Sequence, residues 1–75
     1  FGTEKIAIYP NPVNETIYIS HIQNTDYEVY DILGKLILNG KNTENKINVS
    51  SLKSGIYILK LKEEKHTINQ KFVKE

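Results

Sequence analysis

Apolar residues fall on every second position in short runs, and clusters of Asn, Gly, Ser and Glu separate the runs. That is the period of a strand with one face buried, and about seven such runs can be followed along the chain. Ile6 and Ile8 alternate with Lys5, Ala7 and Tyr9. Pro10 and Pro12 then end the run, because each proline fixes φ and removes a ladder donor. Thr16 to Ser20 reads as the second strand, with Ile17 and Ile19 inward and Thr16, Tyr18 and Ser20 outward. Tyr27 to Tyr30 and Lys35 to Leu38 form the arms of a hairpin turned through Asp31-Ile32-Leu33-Gly34, where Gly34 suits a positive φ. Asn39-Gly40 is a strong turn signal, and Lys41 to Asn45 beyond it is too polar for a core strand. A loop is expected there.

Ile47 and Val49 mark a fifth strand, and Leu52 is the one apolar residue of the connection Ser50 to Gly55, placed to plug back into the core. Ile56 to Lys62 carries Tyr57, Leu59 and Leu61 on one face and Ile56, Ile58 and Lys60 on the other. With both faces largely apolar, this strand is expected to be central. Glu63-Glu64-Lys65 reads as a charged turn, and His66 to Val73 as a last strand carrying Ile68 and Phe72. A helix over Glu63 to Lys71 is interrupted by Thr67, Ile68 and Asn69. Short strands at intervals of about 8 to 12 residues predict an all-β, immunoglobulin-like antiparallel β-sandwich of about seven short strands. Its core should gather Ile17, Ile19, Val29, Ile47, Val49, Tyr57, Leu59 and Phe72.

Length and composition narrow the chemistry. Seventy-five residues make one domain, with a thin core and no cysteine to reinforce it. Ten lysines against nine acidic residues leave a net charge of +1, and there is no arginine. Such a chain offers neither a one-signed field nor a bidentate fork, which argues against nucleic acid as a partner. No window approaches the roughly 18 apolar residues of a membrane span. His21 and His66 stand 45 positions apart with no second ligand at zinc spacing, so no metal or cofactor is predicted. Glu63-Glu64 reads as a wet turn, and Ser50, Ser51 and Ser54 as turn formers without a base, so no catalytic residue is assigned. Asn14-Glu15-Thr16 and Asn48-Val49-Ser50 match the glycosylation acceptor pattern, as eight asparagines in a short chain would by chance. Of the five tyrosines, Tyr27 and Tyr57 are expected in the core with tethered hydroxyls, and Tyr18 and Tyr30 on outward faces.

Three features ask for more than a structural reading. Tyr9-Pro10-Asn11-Pro12 locks an extended corner that costs little entropy to present. Gly55-Ile56-Tyr57 turns the backbone sharply into the central strand. Lys71-Phe72-Val73-Lys74 frames two apolar residues with cations at the end of the chain. Taken in order, with Ile17 and Ile19, Val29-Tyr30-Asp31, Gly34-Lys35 and Leu52 between them, these residues resemble the type A C-terminal sorting domain of proteins exported by the type IX (Por) secretion system of Bacteroidetes. The resemblance covers nearly the whole chain. It departs at Glu63-Glu64-Lys65, where family members often carry a Gly or Asn-Gly turn, and at Glu75, which trails the terminal lysine motif.

The resemblance implies that residues 1–75 are the last domain of a larger exported cargo protein, recognised by the outer-membrane translocon and its shuttle protein. A sortase-like peptidase of the outer membrane then commonly removes the domain, as the cargo is anchored at the cell surface or released. The location implied is secreted or cell surface, by way of periplasm and outer membrane. Gly55, Tyr57, Lys71, Phe72, Val73 and Lys74 are the residues assigned to translocon recognition, with Lys71 and Lys74 taken as surface cations. Pro10, Asn11, Pro12 and Gly34 are assigned to shaping the motif and its loops. The alternative of another class is an adhesion or carbohydrate-binding β-sandwich module. That reading requires clustered exposed aromatics or an acidic calcium loop, for which only Asp26 and Asp31 are available as aspartates.

Overall fold

The computed structural model describes residues 8–20, 25–62 and 67–75, and no helix occurs among them. Seven strands follow in chain order: β1 (Ile8–Tyr9), β2 (Thr16–Ile19), β3 (Thr25–Asp31), β4 (Leu36–Asn42), β5 (Lys46–Asn48), β6 (Gly55–Lys62) and β7 (Thr67–Lys74). They build a three-stranded sheet in the order β1-β2-β5 and a four-stranded sheet in the order β4-β3-β6-β7, all neighbours antiparallel. Lys5, Ile6 and Ala7, His21, the Glu63-Glu64-Lys65 turn and His66 lie outside the described residues.

The sandwich interior is supplied by alternation on both sides. Ile17, Ile19, Ile47 and Val49 meet Val29, Tyr57, Leu59, Leu61 and Phe72, so all eight residues expected in the core are buried. Leu52 also closes inward, as its position in the connection predicted. Val13 completes the cluster and is fully buried, although a lone valine after Pro12 carries no strand period to announce it. Tyr57 donates its hydroxyl to the Lys53 carbonyl at 2.7 Å, the tether that a buried phenol needs. Tyr27 is half-buried against the core rather than fully within it.

One expectation is corrected. Asn39-Gly40 is not a turn, and Lys41 is not in a loop: β4 runs on to Asn42, pairing Gly40 with Tyr27, Lys41 with Asp26 and Asn42 with Thr25. The reason lies across the ladder. A Cβ on Gly40 would stand 3.0 to 3.1 Å from the Tyr27 ring, so the glycine is the seat of that ring. Beyond it, Lys41 reaches Asp26 at 3.5 Å, and buried Asn42 donates its amide to the Thr25 hydroxyl at 3.4 Å, which makes a polar strand end worth pairing. The turn into β5 comes at Asn45, at φ +62°. β6 is central in the order of its sheet, as expected, and is covered on one side alone. Ile56 and Ile58 face outward because a two-layer sandwich has no third layer to cover them.

The β3–β4 turn is the tightest piece of the structure. Gly34, at φ +87°, donates to the Asp31 carbonyl at 3.0 Å, and the Asp31 amide donates to the Lys35 carbonyl at 3.0 Å. Asp31 Oδ1 accepts from the amides of Leu33 and Lys35, both at 2.9 Å. One aspartate thus satisfies most of the turn's backbone. Where the hairpin leaves it, the register slips between Val29 and Tyr30, and Ile37 is the extra residue of a bulge.

Leu59 lies fully buried on the central strand, opposite Val29 and Gln70. Leu59→Ala should therefore lower unfolding free energy by about 2 to 5 kcal/mol through the cavity it leaves. Urea denaturation of the two proteins measures this, and an unchanged midpoint would place Leu59 outside the core.

Candidate functional site

Strand directions bring the singled-out motifs to one pole of the sandwich. β6 begins there and β7 ends there: Gly55 pairs with Lys74, Ile56 with Val73 and Tyr57 with Phe72. Tyr57 and Phe72 stack beneath, with centroids 5.6 Å apart and planes at 22°. The Pro-Asn-Pro corner, both of whose Xaa-Pro bonds are cis, arrives at the same pole from β1. Its Asn11 Oδ1 accepts from the Val73 amide at 2.9 Å, across 62 positions of sequence. The Val13 amide donates to the Val73 carbonyl at 2.8 Å, and the Glu75 amide donates to the Val13 carbonyl at 2.9 Å. Val13 and Lys74 thereby form a parallel bridge that joins the two sheets.

This clasp fixes what β7 presents. Both backbone groups of Val73 point away from β6, so by the two-residue period those of Lys71, Asn69 and Thr67 do so too. β7 is an edge of its sheet, and upstream of the clasp no strand pairs with it among the described residues. Of the six residues assigned to recognition, Lys71 and Val73 carry exposed side chains, and Gly55 opens β6 at φ +156°. Tyr57 and Phe72 are interior. Lys74 is not the surface cation expected: it is 7% exposed, its backbone is held in the bridge with Val13, and its ammonium donates to the Glu75 carbonyl at 2.9 Å. Pro10, Asn11 and Pro12 are exposed around the clasp, and Gly34 sits in the β3–β4 turn at the same pole, where Asp31 pairs with Tyr57.

A feature that sequence reasoning missed is the outward face of the four-stranded sheet. Leu36, Tyr30 and Ile58 stand in one cross-strand row that ends at Lys71, and Ile56 and Val73 form the next. Beside them Lys60 lies 5.3 Å over the Tyr30 ring, and the Tyr30 hydroxyl donates to Glu28 Oε1 at 2.7 Å. That bond holds the Glu28 carboxyl below its ordinary range, helped by Lys62 at 3.4 Å, and raises the Tyr30 phenol above its own. The aromatics do not gather into one platform. Tyr9 and Tyr18 stack on the other sheet at 5.9 Å, away from Tyr30, while Tyr27 and Tyr57 turn inward. Asn48 of one acceptor pattern folds back, accepting from the amide and hydroxyl of Ser50 at 2.8 and 2.7 Å. Among the described residues no three His, Cys, Asp or Glu stand together where they could hold a metal ion.

Comparison with known proteins places the whole domain in a family. The family model of the secretion system C-terminal sorting domain matches residues 7–75. The chain belongs to that family. The family is the C-terminal sorting signal of type IX secretion, so the domain engages that system and marks its protein for the cell surface or for secretion. It is a family of signals, not of catalysts. The sorting domain is 40% identical over 72 residues to part of beta-agarase D of Zobellia galactanivorans, covering 95% of this chain and 15% of that protein. In fold it is similar to a solved chain from a study of PorZ, an essential surface component of the type IX secretion system of Porphyromonas gingivalis. There the TM-score is 0.75 at 16% identity, over 93% of this chain and 11% of the other. The sorting domain thus spans a small fraction of the length of either.

Two predictions concern the sorting domain's clasp and its outward face. Asn11→Ala removes the acceptor of the Val73 amide and should cost about 0.5 to 1.5 kcal/mol, with faster hydrogen exchange at Val73 and little change at Leu59. Uniform change across the domain would show that the bond is not local to the strand end. For the face, Glu28 titrates low, so its contribution is present above the ordinary carboxylate range and is lost as pH falls through its depressed value. Tyr30→Phe should move the Glu28 titration upward in carboxyl-detected NMR. An unmoved titration would mean that the phenol is not the main cause.

Proposed function

We propose that this chain is the terminal domain of a longer exported protein, and that the C-terminal third carries the address read by the type IX translocon and its shuttle protein. The route runs through the periplasm and across the outer membrane. A sortase-like peptidase there is the partner that would separate domain from cargo at surface anchoring or release. The observation that carries the reading is the state of β7: an edge strand with Lys71, Asn69 and Thr67 turned outward, stopped at Val73 by the Asn11–Val13 clasp.

Such an edge can accept a receptor strand, with main-chain bonds giving affinity and Lys71 discouraging pairing with other copies. Gly55, by its backbone pairing with Lys74, and Tyr57, Phe72 and Lys74, by their buried side chains, contribute by holding β7 in place. Val73 contributes an exposed side chain next to the clasp. Pro10, Asn11 and Pro12 shape the strand end, and Gly34 shapes the neighbouring turn.

The test separates address from fold. With the chain at the C-terminus of a secreted reporter, Lys71→Ala should leave melting nearly unchanged, because exposed charges contribute little. Asn69→Pro removes an outward donor that β6 does not use. Export of both should fall, by about tenfold if the pairing contributes as one interface anchor does, with precursor held in the periplasm. Normal export by stably folded variants would remove β7 as the address.

A further inference from the structure

Nine large hydrophobic side chains are exposed among the described residues. Seven of them, all but Tyr9 and Tyr18, lie on the outward face of the four-stranded sheet or on the β3–β4 hairpin that borders it. Single exposed aliphatics are ordinary, but a contiguous set at one end of one sheet is not. The set peaks at the turn, where Ile32 is 69% and Leu33 89% exposed.

Nothing in the fold requires aliphatic residues at that apex. The turn is held by Asp31 through Leu33, Gly34 and Lys35 backbone groups, none of which involves the Ile32 or Leu33 side chain. Polar residues would serve a turn at least as well. What the bracing achieves is a rigid apolar knob whose ordering cost is already met before any partner arrives. A shallow groove whose lining includes Tyr30, Asp31, Ile32, Ile58, Lys60 and Asn69 runs from the knob onto the sheet face.

The charges around the knob are of both signs but differ in their partners. Lys35 and Lys71 make no ion pair among the described residues, whereas the nearby acids are occupied: Asp31 by the turn, Glu28 by Tyr30 and Lys62. The surface offered is apolar with free cations beside it.

We propose that the Ile32–Leu33 knob, with Leu36 and Ile58 behind it, is a docking surface that seats in an apolar, acid-rimmed cleft of a protein of the secretion machinery. A cleft fits better than a bilayer, because the apolar surface turns from the tip onto the flank of the sheet. A flat membrane meeting the tip would leave that flank in water. The inference rests on the sorting function, but not on the β7 edge.

The experiment uses the reporter fusion in a type IX-competent bacterium. Ile32→Asn with Leu33→Ser keeps a turn-compatible apex, and melting should be unchanged while export falls about tenfold or more. Leu33→Met should retain export, and Lys35→Glu should reduce it. If the unaltered fusion is not exported, the sorting reading itself fails. If it is exported and the folded double variant is exported equally well, the knob is not a docking surface, and an indifferent Lys35→Glu removes the acidic rim. Two further measurements on the purified chain exclude other occupants. Sedimentation with anionic phosphatidylglycerol vesicles that the double variant abolishes would assign the knob to a membrane. Dimerisation that the double variant abolishes would assign it to a second copy.

Discussion

Three backbone-centred bonds between Asn11–Val13 and Val73–Glu75 close the chain on itself, and the rest of the domain is arranged around them. They link the corner that leaves one sheet to the last strand of the other, so the sandwich is sealed at that edge by pairing as well as by packing. Val13, Phe72 and Lys74 are buried because the clasp lies over them. For a 75-residue chain with no disulfide this is a substantial constraint, since it ties segments from opposite ends of the sequence in the folded state. The same bonds set the limit of the open edge: Val73 is used, and Lys71 is the first outward residue that is not.

The second constraint is the number of layers. Two sheets enclose one interior, which leaves each with a face that only solvent or a partner can cover. On the three-stranded sheet that face carries the Tyr9–Tyr18 stack. On the four-stranded sheet it divides along the strands. Toward one pole Glu28, Lys60 and Lys62 make a polar network around the Tyr30 hydroxyl, and toward the other Ile58, Ile56 and Val73 stand without cover. Tyr30 belongs to both halves, with its ring beside Ile58 and its hydroxyl on Glu28.

How far the fold is readable from sequence depends on whether the cause is local. Period-two alternation suffices for Ile17 and Ile19, for Tyr57, Leu59 and Leu61, and for the hairpin at Asp31 to Gly34, because each of these rests on neighbours in the chain. Gly40 cannot be read that way. Next to Asn39 it looks like a turn, and only the Tyr27 ring across the ladder shows why it is a glycine in a strand. Lys74 misleads for the same reason, its burial being imposed by a segment some sixty positions earlier. Ile56 and Ile58 suggest cover on both faces, since an apolar strand face looks alike in sequence whether a third layer or a binding partner covers it. For the proposed docking face, the signal that the sequence does carry is a pair of aliphatic residues, Ile32 and Leu33, at the apex of a turn where polar residues are the rule.

The placement of the terminal motif bears on the kind of signal this domain is. A linear peptide address would need its side chains free, yet Phe72 and Lys74 are enclosed and Val73 has both backbone groups bonded to the corner. Reading those residues directly would require opening the clasp and with it the core. A folded address, as proposed above, would avoid that cost, the receptor meeting a strand edge and an apolar flank whose geometry the buried residues guarantee. On that proposal recognition would test folding at the same time, because a chain that has not brought Asn11 to Val73 has neither the strand end nor the pole. On that proposal proline, asparagine, glycine and tyrosine in such a motif act by position rather than by contact, and their substitution is to be read through stability rather than through affinity.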